Sequence, residues 1–273
     1  MYAKLKTRYI IILCLLGFLN ACIPDNKIKN NIHSDDDQRI GQSIDEELLA
    51  YFAANNQLLD STLYNEAYSF IQQIAQEVEL SNHIDTLKNE FDSHCSLQIR
   101  IIDQVSEDNA FILPGGYLYF HKNFLKGLQT KAQLTGVMAH LASAECHRLA
   151  VHKLENRFST SFLIDLALGG EMNINTEMIL SELKDQAYDT TAVQMLDQTT
   201  EKIICELTYD IRSYADLFNQ NQTTNLDWHN LFPRNDMSFY TSYLYNEVKP
   251  NALCNNSDLI GIQEYSDFKS NLN

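Results

Sequence analysis

Apolar residues recur along this chain with two periods, and the switch between them marks out its elements. Ile40, Ile44, Leu48 and Leu49, then Tyr68, Ile71, Ile74 and Val78, fall three or four apart. They predict two helices between Arg39 and Leu80, joined by a turn over residues 55–63. Leu97-Gln98-Ile99-Arg100-Ile101 alternates strictly, as a half-buried strand does. Asn109-Ala110-Phe111-Ile112-Leu113 and Tyr117-Leu118-Tyr119-Phe120 flank Pro114-Gly115-Gly116, which predicts a β-hairpin. The stretch from Thr130 to His152 is expected to be an amphipathic helix through Leu134, Val137, Met138 and Leu141, opened by Thr130 and Gln133 as a capping box. Further helices are expected over residues 181–196, 201–218 and 237–248, with a break at Trp228 to Pro233. Residues 162–168 are apolar but too few to span a membrane, so they read as core or as the cover of a loop. Helices, then a small sheet, then helices predict an α+β fold that is mostly α.

The chain ends modify this picture. Lys4, Lys6 and Arg8 precede an apolar run from Tyr9 to Leu19, the arrangement of a signal peptide. It closes on Leu19-Asn20-Ala21-Cys22, which resembles the bacterial lipobox. That resemblance implies a signal peptide over 1–21, lipidation of Cys22 and a periplasmic protein held at a membrane. Ile23 and Pro24 stand where an inner-membrane retention signal would place Asp, so the same resemblance favours the outer membrane. Residues 22–38 are polar and aperiodic and read as a flexible tether, 39–248 as one domain, and 249–273 as a polar, loosely held tail. Such a tether has an r.m.s. reach of roughly 20 Å.

At 273 residues and 45% hydrophobic the chain can bury a substantial core. Its formal charge of −16 becomes −19 once Lys4, Lys6 and Arg8 leave with the signal. This excludes nucleic acid as a partner, because phosphate binding needs the opposite sign, and the acid reads as a solvated surface. With Cys14 removed and Cys22 lipidated, Cys95, Cys146, Cys205 and Cys254 remain for an oxidising compartment, where two bridges can form in any of three pairings. None has the C-x-x-C spacing of a thiolate metal site. A Gly-rich phosphate loop, G-x-S-x-G and internal repeats are absent, which argues against nucleotide enzymes, α/β-hydrolases and solenoids.

Asn109-Ala110-Phe111, Leu113-Pro114-Gly115-Gly116-Tyr117 and the helix entering Gly136-Val137-Met138-Ala139-His140 together resemble the zinc metallopeptidases of the HtpX and CAAX-prenyl-protease type, in their periplasmic lipoprotein branch. Gln38-Arg39-Ile40-Gly41 resembles that family's first helix, residues 181–193 fall where its third-ligand helix belongs, and Phe232-Pro233 lies where a His-Pro pair is usual. The resemblance covers roughly residues 38–248. It implies a gluzincin-like metallopeptidase domain with a small antiparallel hairpin packed on the zinc-site helices. In that family H-E-x-x-H puts two His about 40° apart on one helix face, so both reach one Zn²⁺. A Glu on another helix is the third ligand, and the Glu after the first His takes the proton from the attacking water.

This sequence reads His140-Leu141-Ala142-Ser143-Ala144. His140 matches the first ligand, whereas Leu141 occupies the base position and Ala144 the second-ligand position. Aligning Ser181 and Asp189 with the family's Ser and Asp puts Ala187 at the third-ligand position, with Asp189 matching a residue that supports a metal-bound His. The expectation is a pseudopeptidase with no catalytic residue and no zinc. The resemblance also implies that the strand with Asn109, Ala110 and Phe111, next to Gly115 and Gly116, can hold an extended polypeptide through its backbone. The expected partners are the membrane through Cys22 and an envelope polypeptide or an active relative. The alternatives are that residues 162–168 cover that edge, and that the chain is an active zinc endopeptidase of envelope quality control with unusual ligands. For the latter, His147, seven residues and about 10 Å beyond His140 on one helix, is too far to share an ion, and Glu145 and His152 fit no better. A nucleophilic site at Ser143 or Cys146 fares worse, because adjacent Cys146 and His147 point apart on a helix.

Overall fold

The computed structural model describes residues 30–91, 93, 95–104, 109–170, 176–185, 190–220, 237–251, 254 and 259–272. Residues 1–29, which hold the expected signal peptide and Cys22, lie outside the described residues, as do Ala187, Asp189 and residues 228–233. Helices α1 (Ser34–Ala54), α2 (Asn65–Glu79) and α3 (Asn82–Phe91) precede strands β1 (Gln98–Ile102), β2 (Ala110–Ile112) and β3 (Tyr117–His121). Then come α4 (Lys122–Gly127), α5 (Lys131–Cys146), α6 (Leu149–Arg157), α7 (Thr160–Ala167), α8 (Thr176–Asp185), α9 (Thr190–Glu206), α10 (Ile211–Gln220), α11 (Met237–Tyr243) and α12 (Ile262–Ser270). The fold is α+β and mostly α. Among the described residues no helix is long and apolar enough to cross a membrane.

Helix α1 buries Ile40, Ile44, Leu48 and Phe52 on one stripe. It approaches the Pro114–Gly116 turn so closely that a Cβ on Gly41 would lie 1.6 Å from the Pro114 carbonyl oxygen. Gly116 sits at φ 84°, and a side chain there would meet the Ser96 backbone, so glycine is required on both counts. The hairpin is antiparallel, with Phe111 opposite Tyr119 and their rings stacked 4.9 Å apart. Strand β1 pairs parallel with β3, which makes the three-stranded sheet mixed, in the order β1-β3-β2. Asp45 of α1 joins helix to sheet, accepting from Arg100 at 2.8 Å and from the Tyr119 hydroxyl at 2.7 Å.

Three features depart from the sequence expectations. The first lies at the N-terminal side, where the polar segment is partly folded. Helix α1 begins at Ser34, with the His33 side chain accepting from the Asp35 N–H, and the Asn31 and Ile32 N–H groups both donate to Glu155. The second is a break between residues 130 and 152. Helix α5 stops at Cys146, Arg148 takes a left-handed conformation at φ 58°, and α6 begins at Leu149. Arg148 turns out of the helix line to grip Asp37 with two hydrogen bonds, of 2.6 and 2.9 Å, and to donate to the Ile32 carbonyl. The third is the C-terminal segment, which is docked. Tyr265, Phe268 and Leu272 are fully or nearly fully buried, and Phe268 stacks on Phe70. The Ile260 and Gly261 carbonyls accept from the first N–H groups of α5, which are otherwise unpaired at a helix start.

Both disulfides join distant elements. Cys95–Cys146 ties the end of α5 to the segment before β1, and Cys205–Cys254 ties the end of α9 to the C-terminal segment.

Candidate functional site

Helix α5 runs through the centre of the molecule. Every residue from Ala132 to Cys146 is buried, so the helix is enclosed on all sides and not amphipathic. The Thr130 hydroxyl accepts from the Gln133 N–H at 3.1 Å, and the Gln133 side chain returns to the Gln129 N–H. This is the expected box shifted by one backbone donor. Gly136 lets the Tyr214 ring of α10 lie against the helix backbone, since a Cβ there would fall 2.1 Å from the ring.

His140 is fully buried. Leu141 joins the main core, and Ala144 packs with Leu149, Ala192 and Leu196 in a small apolar cluster between α5 and α9. A metal's open coordination position needs space for water, and here methyl and methylene groups fill the interface of the two helices. Among the described residues no three His, Cys, Asp or Glu side chains are grouped to hold a metal ion. A zinc of the H-E-x-x-H type does not fit these residues.

The other polar groups of the stretch point elsewhere. Glu145 is enclosed, with one carboxylate oxygen accepting from the Gly115 N–H at 2.7 Å. Burial, reinforced by nearby Asp37, pushes its carboxyl up to about 8. His147 follows the helix end and lies edge-on to Phe91 with ring centroids 4.5 Å apart, and burial pushes it down to about 4. Thus Glu145 faces the glycine turn while His147 faces α3. They do not converge with His140, which removes the geometric basis for a relocated site built from them.

Residues 74–201 match peptidase family M48. The match runs from within α2, through the sheet and α5, to within α9, and it supports the M48 metallopeptidase family for this chain. No curated protein matches the sequence. The match includes the α5 segment that carries His140, Leu141 and Ala144.

The strand expected to hold a polypeptide is enclosed. Asn109, Ala110, Phe111, Gly115 and Gly116 are all buried, and β2 is an edge strand. Helix α8 lies against it, with Ile179, Leu180 and Leu183 in the same apolar cluster as Phe111 and Leu113. Residues 162–168, the alternative cover of that edge, fall within and just after α7 and pack on α1 instead, where the Ser43 hydroxyl donates to the Leu166 carbonyl. Sequence reasoning missed one further cluster. Glu201 of α9 is held near 7 by burial while accepting from the Tyr240 and Tyr243 hydroxyls. Those partners lie 39 and 42 residues away in sequence, beyond the reach of any local motif.

Proposed function

We propose that this protein is a catalytically silent, M48-type lipoprotein of the bacterial envelope. It is anchored through Cys22, faces the periplasm from the outer membrane, and binds an envelope polypeptide or an active relative without cleaving it. The observation that carries the reading is the apolar packing of Leu141 and Ala144, in a frame that residues 74–201 share with a metallopeptidase family. Hydrolysis of a peptide needs a polarised carbonyl and a base for the attacking water. A leucine at the base position moves no proton, and an alanine among Leu149, Ala192 and Leu196 binds no ion.

Polypeptide binding uses the hairpin that the frame retains. A strand added beside β2 pairs through backbone groups and demands little of the ligand's side chains. In this reading α8 occupies the place of that ligand and gives way to it. The test is site-specific photocrosslinking in cells with a photoreactive side chain at Asn109, together with a casein digestion assay on purified protein. The expected result is a crosslinked envelope polypeptide and intact casein. Chelator-sensitive digestion that His140→Ala abolishes would overturn the silent reading, and absence of any crosslink would overturn the binding reading. Cys22→Ser should release the chain from the membrane fraction, and its retention there would contradict the anchor.

A further inference from the structure

A cavity of about 310 Å³ opens between α9 and the helix pair at α11, away from His140. Glu201 lies at its base and is only 8% exposed. One of its oxygens accepts from the Tyr240 hydroxyl at 3.0 Å and the other from the Tyr243 hydroxyl at 3.4 Å. The phenols fix the carboxylate in place but bring no charge to balance it. A buried carboxylate is costly unless a cation faces it. Lys202, the next residue of α9, is solvent-exposed, so it only tempers that cost.

The facing wall is built by an unusual backbone. Residues Leu244–Val248 form a π turn directly after α11, closed by the Lys249 N–H donating to the Leu244 carbonyl at 3.0 Å. Such turns are rare and frequent at functional sites. This one brings Glu247 and Val248 to the cavity beside the partly exposed Tyr243 ring. The lining thus combines the fixed carboxylate with an aromatic and an aliphatic side chain, and with the exposed Lys202 beside them. The volume stands at the small end of ligand sites, which run from roughly 300 Å³ upwards.

The geometry points to a binding site for a short aliphatic primary amine, whose ammonium pairs with Glu201 and whose methylenes lie against Tyr243 and Val248. The ammonium donates to the carboxylate in a charge-assisted hydrogen bond, and the Tyr243 ring adds a cation–π contact. The phenols hold the oxygens where the ammonium arrives. The chain's negative charge raises the local concentration of such cations. The site does not depend on the state of the His140 region.

Charged and titratable groups facing Glu201 are Lys202 on its own helix, Tyr214 on α10, Tyr240 and Tyr243 on α11, and Glu247 on the π turn. Burial raises Tyr214 and Tyr243, so both stay neutral below pH 8. Glu201 is the group that ionises near 7, and binding of the cation follows that ionisation.

Titration calorimetry of the full chain with 1,5-diaminopentane, and with 1,5-pentanediol as its neutral counterpart, tests the assignment. Saturable binding of the amine and none of the diol is expected, tightening roughly tenfold from pH 6 to pH 8 as the carboxylate ionises. Glu201→Gln should weaken it at least tenfold with the melting temperature retained. Equal binding of the diol, undiminished binding by Glu201→Gln, or no saturable binding at millimolar amine would overturn the site. If Glu201→Gln fails to fold, the pH dependence of the unaltered chain decides, and an affinity unchanged between pH 6 and 8 rejects the proposal.

Discussion

Ala144 shows how one residue closes off a chemistry. It packs in one small apolar cluster with Leu149, Ala192 and Leu196, where α5 and α9 approach each other. Restoring the imidazole alone overfills that space. Ala144→His should therefore lower stability by about 1–3 kcal/mol in urea unfolding and gain no metal. A variant as stable as the parent would show that the space is open. Glu145 sets a different test. Its folded carboxyl lies near 8 against an ordinary 4.5, so the folded chain holds that proton more tightly than the unfolded chain does. Its contribution to stability is complete below 4.5 and is lost as pH rises through 8. Glu145→Gln should remove this alkaline loss and stabilise the protein at pH 8 by about 2–4 kcal/mol, a gap that closes by pH 5. His147 has the opposite sign. Its folded value near 4 against an ordinary 6.5 makes stability fall as pH drops through that window, and the acid limb should persist in the variant. At this scale His140, Leu141 and Ala144 stand out in the sequence because five consecutive residues carry the pattern, and the fold shows all three buried. The settings of Glu145 and Glu201 were not legible, because Gly115, Tyr240 and Tyr243 reach them only through the fold.

Among the elements, α1 and the Pro114–Gly116 turn form the tightest backbone contact. Gly41→Ala would drive a methyl group into the Pro114 carbonyl and should cost about 2–4 kcal/mol in thermal unfolding. A neutral result would mean that the helix shifts freely on the turn. Helix α8 is the element to displace if β2 binds a strand. Leu180→Asp would put a charge in its apolar contact, loosen α8 and raise crosslinking from Asn109. Unchanged crosslinking in a folded variant would place the partner elsewhere. Periodicity found α1, α2, β1 and the hairpin because each buries one face of a regular pattern. It passed over the break after Cys146, since the pair responsible, Arg148 with Asp37, is 111 residues apart in sequence. It also passed over α12, where Tyr265, Phe268 and Leu272 are spaced as a buried stripe but stand among polar residues. The parallel β1–β3 pairing was not legible either, because the hairpin strand β2 lies between them in sequence.

For the molecule as a whole, one cross-link stands at the end of α5 and another at the end of α9. Cys95–Cys146 fixes the end of α5, and Cys205–Cys254 the end of α9, over separations of 51 and 49 residues. Closing loops of that size restricts the unfolded chain by about 4 kcal/mol each. Joint replacement of Cys95 and Cys146 by Ser should lower stability by roughly 2–4 kcal/mol and make it indifferent to reductant at that site. An unchanged urea midpoint would show that the bridge constrains little. Buried disulfides of this kind persist where thiols are not kept reduced. The proposal of a silent M48-like protein rests on the absence of a metal centre in this fold. Zinc content per chain, measured by mass spectrometry on protein purified without chelator, is the direct test. Far less than one zinc per chain is expected, unchanged by His140→Ala. One tightly held zinc per chain, lost in His140→Ala, would contradict it.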